Sequence, residues 1–173
     1  MSEREVLGEG RFLRLVCGPG RWEWAERRTA SGVVVVIAIT TAAEVLLVEQ
    51  WRHPVAARVI ELPAGLAGDV AGQEQEELAE AARRELEEET GYTAERLEPV
   101  LCGPSSAGLS NELLTVFKAH GVRRIGAGGG DASEDITVHH VPLPEVEAWL
   151  AARMAQGALV DPKVYAALWF ARG

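Results

Sequence analysis

The architecture of this chain follows from one segment, Arg84-Glu85-Leu86-Glu87-Glu88-Glu89-Thr90-Gly91-Tyr92. Four of the five residues from 85 to 89 are glutamate, and they stand at the end of a predicted helix. The free carbonyl groups there carry partial negative charge, so each acid costs about 0.3–1 kcal/mol. Glutamates three or four apart repel one another by about 0.2–0.5 kcal/mol per pair. This cost is explained if a divalent cation binds the acidic face, since magnesium prefers carboxylate oxygens.

Three of the glutamates are the predicted metal ligands. Helical spacing places Glu85, Glu88 and Glu89 on one face of the helix. Arg84 is expected to hold these carboxylates by ion pairs, with Glu88 four residues further along. The alternative is a solvated helix end whose exposed ion pairs contribute almost nothing to stability.

The segment resembles the signature of the Nudix superfamily: a glycine, then a glutamate, then Arg-Glu-apolar-x-Glu-Glu-x-Gly-apolar. Glu76 stands eight residues before Arg84, at the position of the first glutamate. The signature glycine falls at Val70, with Gly65, Gly68 and Gly72 nearby. The loop before the helix is therefore expected to be a few residues longer than in the standard signature.

Two further motifs resemble the ADP-ribose (ADP-sugar) pyrophosphatase branch of that superfamily. They are Glu49-Gln50-Trp51-Arg52-His53-Pro54 and Glu61-Leu62-Pro63-Ala64-Gly65-Leu66. Gly108-Leu109-Ser110-Asn111 resembles a later loop of the branch, with Ala107 where proline is usual. The resemblance implies a mixed α/β fold, the Nudix α/β/α sandwich. Residues 1–32 would form an N-terminal antiparallel β-hairpin that serves dimerisation, and residues 33–173 the Nudix domain.

The resemblance also implies a function. It predicts magnesium-dependent hydrolysis of the pyrophosphate bond in a nucleoside diphosphate linked to another moiety, with manganese as a substitute metal. ADP-ribose, cleaved to AMP and ribose 5-phosphate, is the first candidate substrate. A GDP-sugar or another nucleotide sugar remains an alternative because the usual proline is missing. A non-catalytic nucleotide-binding module is a third reading, although such modules usually lose helix glutamates that this chain keeps.

By the same resemblance, individual residues receive expected roles. The metal ligands are Glu85, Glu88, Glu89 and the backbone carbonyl of Ala64. Arg84 and Glu88 are counted with the catalytic residues. Trp22 would stack on adenine, Glu23 would contact adenine or ribose, and Arg27 would contact the diphosphate. Arg52, Leu66 and Glu112 complete the expected substrate contacts; Trp22 could instead be packing and Arg52 a surface residue.

The general base is expected after a glycine-rich loop. Glu134-Asp135-Ile136-x-Val138 resembles the acid-bearing loop of the family, so Glu134 is the candidate base. Asp131, Asp135 and Glu112 are rivals for the role. The histidines lack metal-site spacing and are expected to be structural.

Composition limits the remaining classes of function. The 173 residues fit one domain, and a net charge of −9 argues against sequence-independent binding of nucleic acid. The longest apolar run is too short to span a bilayer, and no apolar leader is visible at the N-terminus. Cys17 and Cys102 are expected to be reduced thiols in a cytoplasmic protein. A hairpin with two tryptophans favours a homodimer.

Hydrophobic periodicity and turn residues predict the elements. Strands are expected at 11–17, 21–28, 33–40, 44–50, 59–62, 97–102, 113–120 and 136–141, and helices at 74–90, 143–156 and 161–171. The segment 126–130 (Gly-Ala-Gly-Gly-Gly) is expected to be a mobile loop that cannot pack.

Overall fold

The computed structural model describes residues 4–69, 72, 74–130 and 135–171. In these residues the strands are β1 (Glu5–Glu9), β2 (Leu13–Cys17), β3 (Glu23–Arg27), β4 (Gly32–Ile37), β5 (Glu44–Arg52), β6 (Ala57–Glu61), β7 (Ala64–Ala67), β8 (Tyr92–Thr93), β9 (Arg96–Pro104), β10 (Leu113–His120), β11 (Arg123–Arg124), β12 (Thr137–Pro142) and β13 (Leu159–Val160). The α-helices are α1 (Leu78–Thr90), α2 (Val146–Ala155) and α3 (Pro162–Ala171).

Two four-stranded sheets form the centre of the molecule, in the orders β7-β4-β10-β9 and β12-β5-β6-β13. Strands β4 and β10 are parallel, as are β6 and β13, and the other pairs in these sheets are antiparallel. The short strands β8 and β11 pair separately. Both cysteines, Cys17 and Cys102, are free. No helix of the described residues is long and apolar enough to cross a membrane.

Apolar side chains pack on both faces of the central strands. In β4, Val34 and Val36 belong to the core that also contains Leu86 of α1. The alternate residues Val35 and Ile37 belong to the second core, which is shared with α2 and α3. Because neighbouring side chains of a strand point to opposite faces, a strand that is apolar on every residue must be covered on both. The predicted α/β/α sandwich is therefore confirmed.

The N-terminal residues form a separate three-stranded antiparallel sheet, β1-β2-β3. The predicted hairpin is present as β2 and β3, while β1 was not predicted. The amide of Ala25 donates to the carbonyl of Leu109 at 2.8 Å, which ties this sheet to the loop before β10. Inside the sheet, buried Glu26 accepts hydrogen bonds from Arg14 and Trp24, both at 2.8 Å.

The helix prediction for 74–90 is wrong at its start, because α1 begins at Leu78. Before it, Gly72 has a φ of 85° and its amide donates to the Glu74 carboxylate at 2.9 Å, which makes a turn. At the other end, Gly91 has the left-handed φ of 74° expected of a residue that terminates a helix. Helix α2 is also shorter than predicted, by three residues at its start and one at its end. Helix α3 begins at Pro162 as predicted, directly after Asp161, whose side chain caps it.

The expectation that segment 126–130 cannot pack is wrong. The amides of Gly129 and Gly130 donate to the carbonyls of Glu89 and Glu88, at 2.8 and 3.0 Å. A side chain at position 128 would place its Cβ 2.3 Å from the backbone carbon of Thr90, so only glycine permits this approach. The segment thus supplies N–H donors to the carbonyl groups at the end of α1, where the acidic side chains are concentrated.

Candidate active site

A cleft of about 400 Å³ opens where α1, β7 and the ends of β5 and β6 meet. Acidic, basic and apolar side chains line this cleft. The lining residues are Arg27, Val33, Val35, Gln50, Arg52, Glu61, Ala64, Gly65, Leu66, Asp69, Glu85, Glu89, Glu112 and Lys163. Predicted metal ligands and predicted substrate contacts from positions 27 to 112 of the sequence are therefore brought into one cavity.

Glu89 lies at the buried side of this cleft, with 2% of its surface exposed. Its Oε2 accepts a hydrogen bond from the amide of Ala64 at 2.9 Å, which joins α1 to the start of β7. Burial of a carboxylate is expensive unless hydrogen bonds or cations compensate for the lost water. The position of Glu89 is therefore held by the backbone that also presents the Ala64 carbonyl.

Glu85 packs directly against Gly65. A Cβ built on Gly65 would lie 2.0 Å from Cδ of Glu85, so any larger residue would displace the carboxylate. Burial raises the pKa of Glu85 to about 7, and the neighbouring charge of Arg84 offsets only part of this rise. The loss of water around the Glu85 carboxylate therefore outweighs the positive charge of Arg84 beside it.

Arg84 connects the acids of the helix to the loop that precedes it. Its Nε and Nη2 donate to the two carboxylate oxygens of Glu76 at 3.0 and 3.1 Å. Nη1 donates to Glu85 at 2.7 Å and to Glu88 at 3.2 Å, and Nη2 also donates to the carbonyl of Leu66 at 2.9 Å. The fork geometry of a guanidinium suits such paired contacts. The Arg84–Glu88 pair expected from the helical spacing is therefore present, and Glu76 and Glu85 are bound more closely.

Three cations line the cleft, and each is held by an acid. Arg52 donates to Glu61 at 2.7 Å, and Arg27 donates to Glu112 at 2.5 Å. Lys163 pairs with Asp161, whose side chain also caps the start of α3 by accepting from the Lys163 amide at 2.8 Å. Positive groups of this kind bind phosphate oxygens, and release of the pairing acid costs little at a partly exposed site.

The structure does not bring every predicted residue into the cleft. Trp22 is 62% exposed and, like the exposed Glu23, lies outside the cleft lining. The Glu88 side chain is 52% exposed and faces Arg84. Asp135 is bound by Arg58 at 2.9 Å, away from the lining residues. Glu134 and its rival Asp131 lie outside the described residues.

Four polar residues of the lining were not singled out from the sequence as substrate contacts or metal ligands: Gln50, Glu61, Asp69 and Lys163. Gln50 lies in the same sequence motif as Arg52. Because residues two apart share one face of a strand, this spacing could have predicted that Gln50 reaches the cleft with Arg52. No local sequence pattern indicated that Lys163 would line the cleft. It reaches the cleft only because β13 pairs with β6 and places Asp161 beside Ile60, whose carbonyl accepts from the Asp161 amide at 2.9 Å.

The residues in the cleft fit a hard divalent cation by their chemistry. Glu85 and Glu89 present carboxylate oxygens, and the space beside Glu85 exists because Gly65 has no side chain. In the part of the chain that the structure describes, no group of three or more His, Cys, Asp or Glu residues is arranged around a common metal position. Arg84 pairs with Glu85 and Glu88, and these ion pairs occupy carboxylate oxygens that a cation would use.

Comparison with known proteins identifies the family. The family model of the NUDIX domain matches residues 28–160, well over half of the chain. The chain belongs to the NUDIX family. The resemblance inferred from the segment Arg84–Tyr92 is thereby confirmed, and the NUDIX match includes every cleft residue except Arg27 and Lys163.

Named relatives include two proteins whose names match the ADP-ribose (ADP-sugar) pyrophosphatase branch. A methanol dehydrogenase activator from Bacillus methanolicus is 35% identical over 66% of this chain and 60% of its own length. An ADP-ribose pyrophosphatase from Bacillus subtilis is 39% identical over 51% of this chain and 45% of its own length. The NUDIX chain thus covers less than two thirds of the length of both relatives. A mouse ADP-sugar pyrophosphatase is 32% identical over 96% of this chain and 84% of its own length.

A solved structure supports the fold. The crystal structure of an ADP compounds hydrolase superposes with a TM-score of 0.70 and covers 98% of this chain and 89% of its own. Sequence identity in that superposition is 17%, so the likeness concerns the architecture of this NUDIX protein and leaves its substrate to be argued from the site.

Proposed function

We propose that this protein hydrolyses the pyrophosphate bond of a nucleoside diphosphate joined to another moiety, with ADP-ribose as the first substrate to test. One cleft combines two helix carboxylates, the buried Glu89 and the partly buried Glu85, with three cations. This combination supports the proposal most directly. Acids alone would repel a diphosphate, and cations alone would bind it without activating water. The names of relatives, ADP-ribose pyrophosphatase and ADP-sugar pyrophosphatase, agree with this chemistry.

A divalent cation, magnesium or manganese, would be held by Glu85, Glu89 and the Ala64 carbonyl, with Glu88 as a further ligand. Bound there, it would supply positive charge that neutralises the diphosphate and activates the attacking water. To bind the ion, the carboxylate oxygens of Glu85 and Glu88 must first release their ion pairs with Arg84. Such an exchange is inexpensive for Glu88, because its side chain is already half exposed.

The protein's own cations would position the substrate. Arg52 and Arg27 would bind phosphate oxygens from two sides of the cleft, and Lys163 would add charge from the start of α3. Phosphoryl transfer depends mainly on positioning and on stabilisation of charge, and little covalent chemistry is required from the protein. Leu66 lines the cleft between these groups and would exclude water from the diphosphate.

A base must accept the proton of the attacking water. Glu134 remains the proposed base, with Glu112 as the described acid that lines the cleft and could replace it. Glu112 is held by Arg27 in an ion pair at 2.5 Å. Turnover by Glu134→Gln and by Glu112→Gln separates the two assignments, because loss of the base should lower kcat and leave substrate affinity nearly unchanged.

We predict that ADP-ribose gives the highest kcat/KM in a panel with ADP-glucose, GDP-mannose, NADH and diadenosine polyphosphates. The products should be AMP and ribose 5-phosphate, and a chelator should abolish turnover because the acids alone repel the diphosphate. Chromatographic separation of the products, with and without magnesium, makes the measurement. Cleavage restricted to the dinucleotides would contradict the choice of ADP-ribose, and turnover in excess chelator would contradict the metal site.

We also propose that the protein is a homodimer joined through the sheet β1-β2-β3. The exposed apolar side chains of this sheet include Val6, Leu7, Phe12, Leu13 and Leu15, each between 42% and 63% exposed. Leu13 and Leu15 project from one face of β2, and exposed apolar surface of this kind is typical of protein interfaces. Dimerisation would bury these side chains and would bring the exposed Trp22 beside a second subunit.

The double substitution Leu13→Asp/Leu15→Asp is predicted to convert the dimer into a monomer. Each Leu would be replaced by a charge that resists burial in the interface. Light scattering should report a mass near twice 18.6 kDa for the parent protein and near 18.6 kDa for the variant. Leu159→Asp is the matched control, because Leu159 is 45% exposed but lies on β13. A parent protein with the monomer mass would refute the proposal.

A further inference from the structure

Gln50 is a buried polar residue that faces the cleft. It lies on β5 with 7% of its surface exposed, and it lines the cavity together with Arg52 and Glu61. The register of β5 and β6 places Val48 opposite Glu61, so Gln50, Arg52 and Glu61 project from the same face of the sheet. The side-chain amide therefore points into the space where the substrate is proposed to bind.

The Gln50 amide forms no hydrogen bond with any residue that the structure describes, whereas its polar neighbours are paired. Arg52 is bonded to Glu61, Arg27 to Glu112 and Glu89 to Ala64. Buried polar side chains in folded proteins nearly always have a partner, so a ligand or a water molecule is expected at this amide. Nε of Arg153 is the only fully buried side-chain nitrogen or oxygen of the described residues that lacks a partner, so solvent reaches the Gln50 amide. A ligand group at this amide would therefore replace water.

The chemistry of an amide narrows the class of ligand group. Gln50 offers two N–H donors and a carbonyl acceptor, and the acceptor needs a donor from the ligand. Phosphate oxygens carry no hydrogen at neutral pH, and three cations already line the cleft for them. A sugar hydroxyl can donate and accept at once.

We propose that Gln50 recognises a hydroxyl group of the moiety joined to the nucleoside diphosphate, and so favours sugar nucleotides over nucleotides with other substituents. This inference rests on the proposed hydrolysis. It makes Gln50 a specificity residue that contacts the substrate beside the diphosphate, on the face of β5 and β6 that carries Arg52.

Gln50→Met tests the inference with two substrates, ADP-ribose and the methyl ester of ADP, which lacks a sugar beyond the diphosphate. Methionine keeps the length of the side chain and removes the hydrogen bonds. The variant should lose about tenfold in kcat/KM for ADP-ribose, the scale of one lost hydrogen bond. Its kcat/KM for the methyl ester should equal that of the parent protein.

Thermal unfolding without ligand provides the second readout. Because solvent reaches the Gln50 amide in the free protein, Gln50→Met should leave Tm nearly unchanged. A glutamine with a structural role would instead give a lower Tm. Gln156→Met is the matched control, since Gln156 is exposed at the end of α2 and outside the cleft, and both substrates should be unaffected there.

Several outcomes overturn the assignment of Gln50. An equal loss for both substrates would show that the residue serves the shared diphosphate or the fold. No loss for either would show that water alone satisfies the amide. A parent protein that cleaves neither compound would instead refute the proposed hydrolysis, so the two failures are distinguishable.

Discussion

Glu89→Gln is expected to lower kcat for ADP-ribose by about 10²–10³-fold, the scale observed when one group that stabilises a transition state is removed. Glu89 is 2% exposed, lines the cleft and is fixed by the amide of Ala64. Glutamine has the same shape but no charge, so the variant should fold and lose its attraction for a divalent cation. Steady-state kinetics with magnesium, together with calorimetric titration of the metal, measures both effects.

Glu87→Gln is the matched control for this experiment. Glu87 stands two residues earlier on α1, carries the same charge and does not line the cleft. Its substitution should leave kcat within the experimental scatter. Near-normal turnover by Glu89→Gln, or an equal loss by Glu87→Gln, would contradict the assignment of Glu89 as a metal ligand.

Arg84→Met is expected to lower the stability of the protein by about 3–5 kcal/mol, the usual effect of breaking a buried ion pair on one side. Arg84 binds Glu76 and Glu85, whose side chains are 7% and 13% exposed, and its loss leaves both carboxylates without their cation. For a chain of this length Tm should fall by roughly 6–20 °C. Calorimetric unfolding measures the change.

Arg96→Met is the control for the loss of an arginine. Arg96 pairs with Glu98 on the surface, and its side chain is 60% exposed, so its removal should cost less than about 1 kcal/mol. If Arg84→Met were no more destabilising than Arg96→Met, the network around Arg84 would not stabilise the fold.

Acid should reduce the difference between the parent protein and Arg84→Met. Hydrogen bonds from Arg84 hold the pKa of Glu76 below its ordinary value of 4.5. A carboxyl group with a lowered pKa in the folded state contributes stability above its unfolded pKa and loses it as the pH falls through the folded value. The contribution of Glu76 is therefore complete above pH 4.5 and decreases below it. Unfolding curves of both proteins over this range test the sign.

The sequence was most informative where local chemistry is strong. The acidic end of α1, its termination at Gly91 and the β-branched strand β4 follow from dipoles, backbone freedom and side-chain shape, and the structure has all three. The candidate ligands Glu85 and Glu89 could be proposed for the same reason, since acids at that position are costly without a partner. The NUDIX family itself was predictable from this segment.

Other features depend on contacts between distant residues. Lys163 reaches the cleft through the pairing of two-residue strand β13 with β6, which no local pattern indicates. Strand β7 has the sequence Ala-Gly-Leu-Ala, which is poor in β-branched residues, and exists because β4 offers it hydrogen bonds. The burial of Gln50 likewise depends on which face of β5 the cleft occupies.

Main-chain atoms alone join the segment Gly126–Gly130 to the end of α1 in the hydrogen bonds described above. These bonds do not depend on the surrounding side chains, provided that glycine is kept at positions 91 and 128. These hydrogen bonds hold the glycine segment against the end of the acidic helix α1. Surface residues on either side could diverge in the course of evolution. These backbone hydrogen bonds would persist while the preference for one nucleotide or another changed.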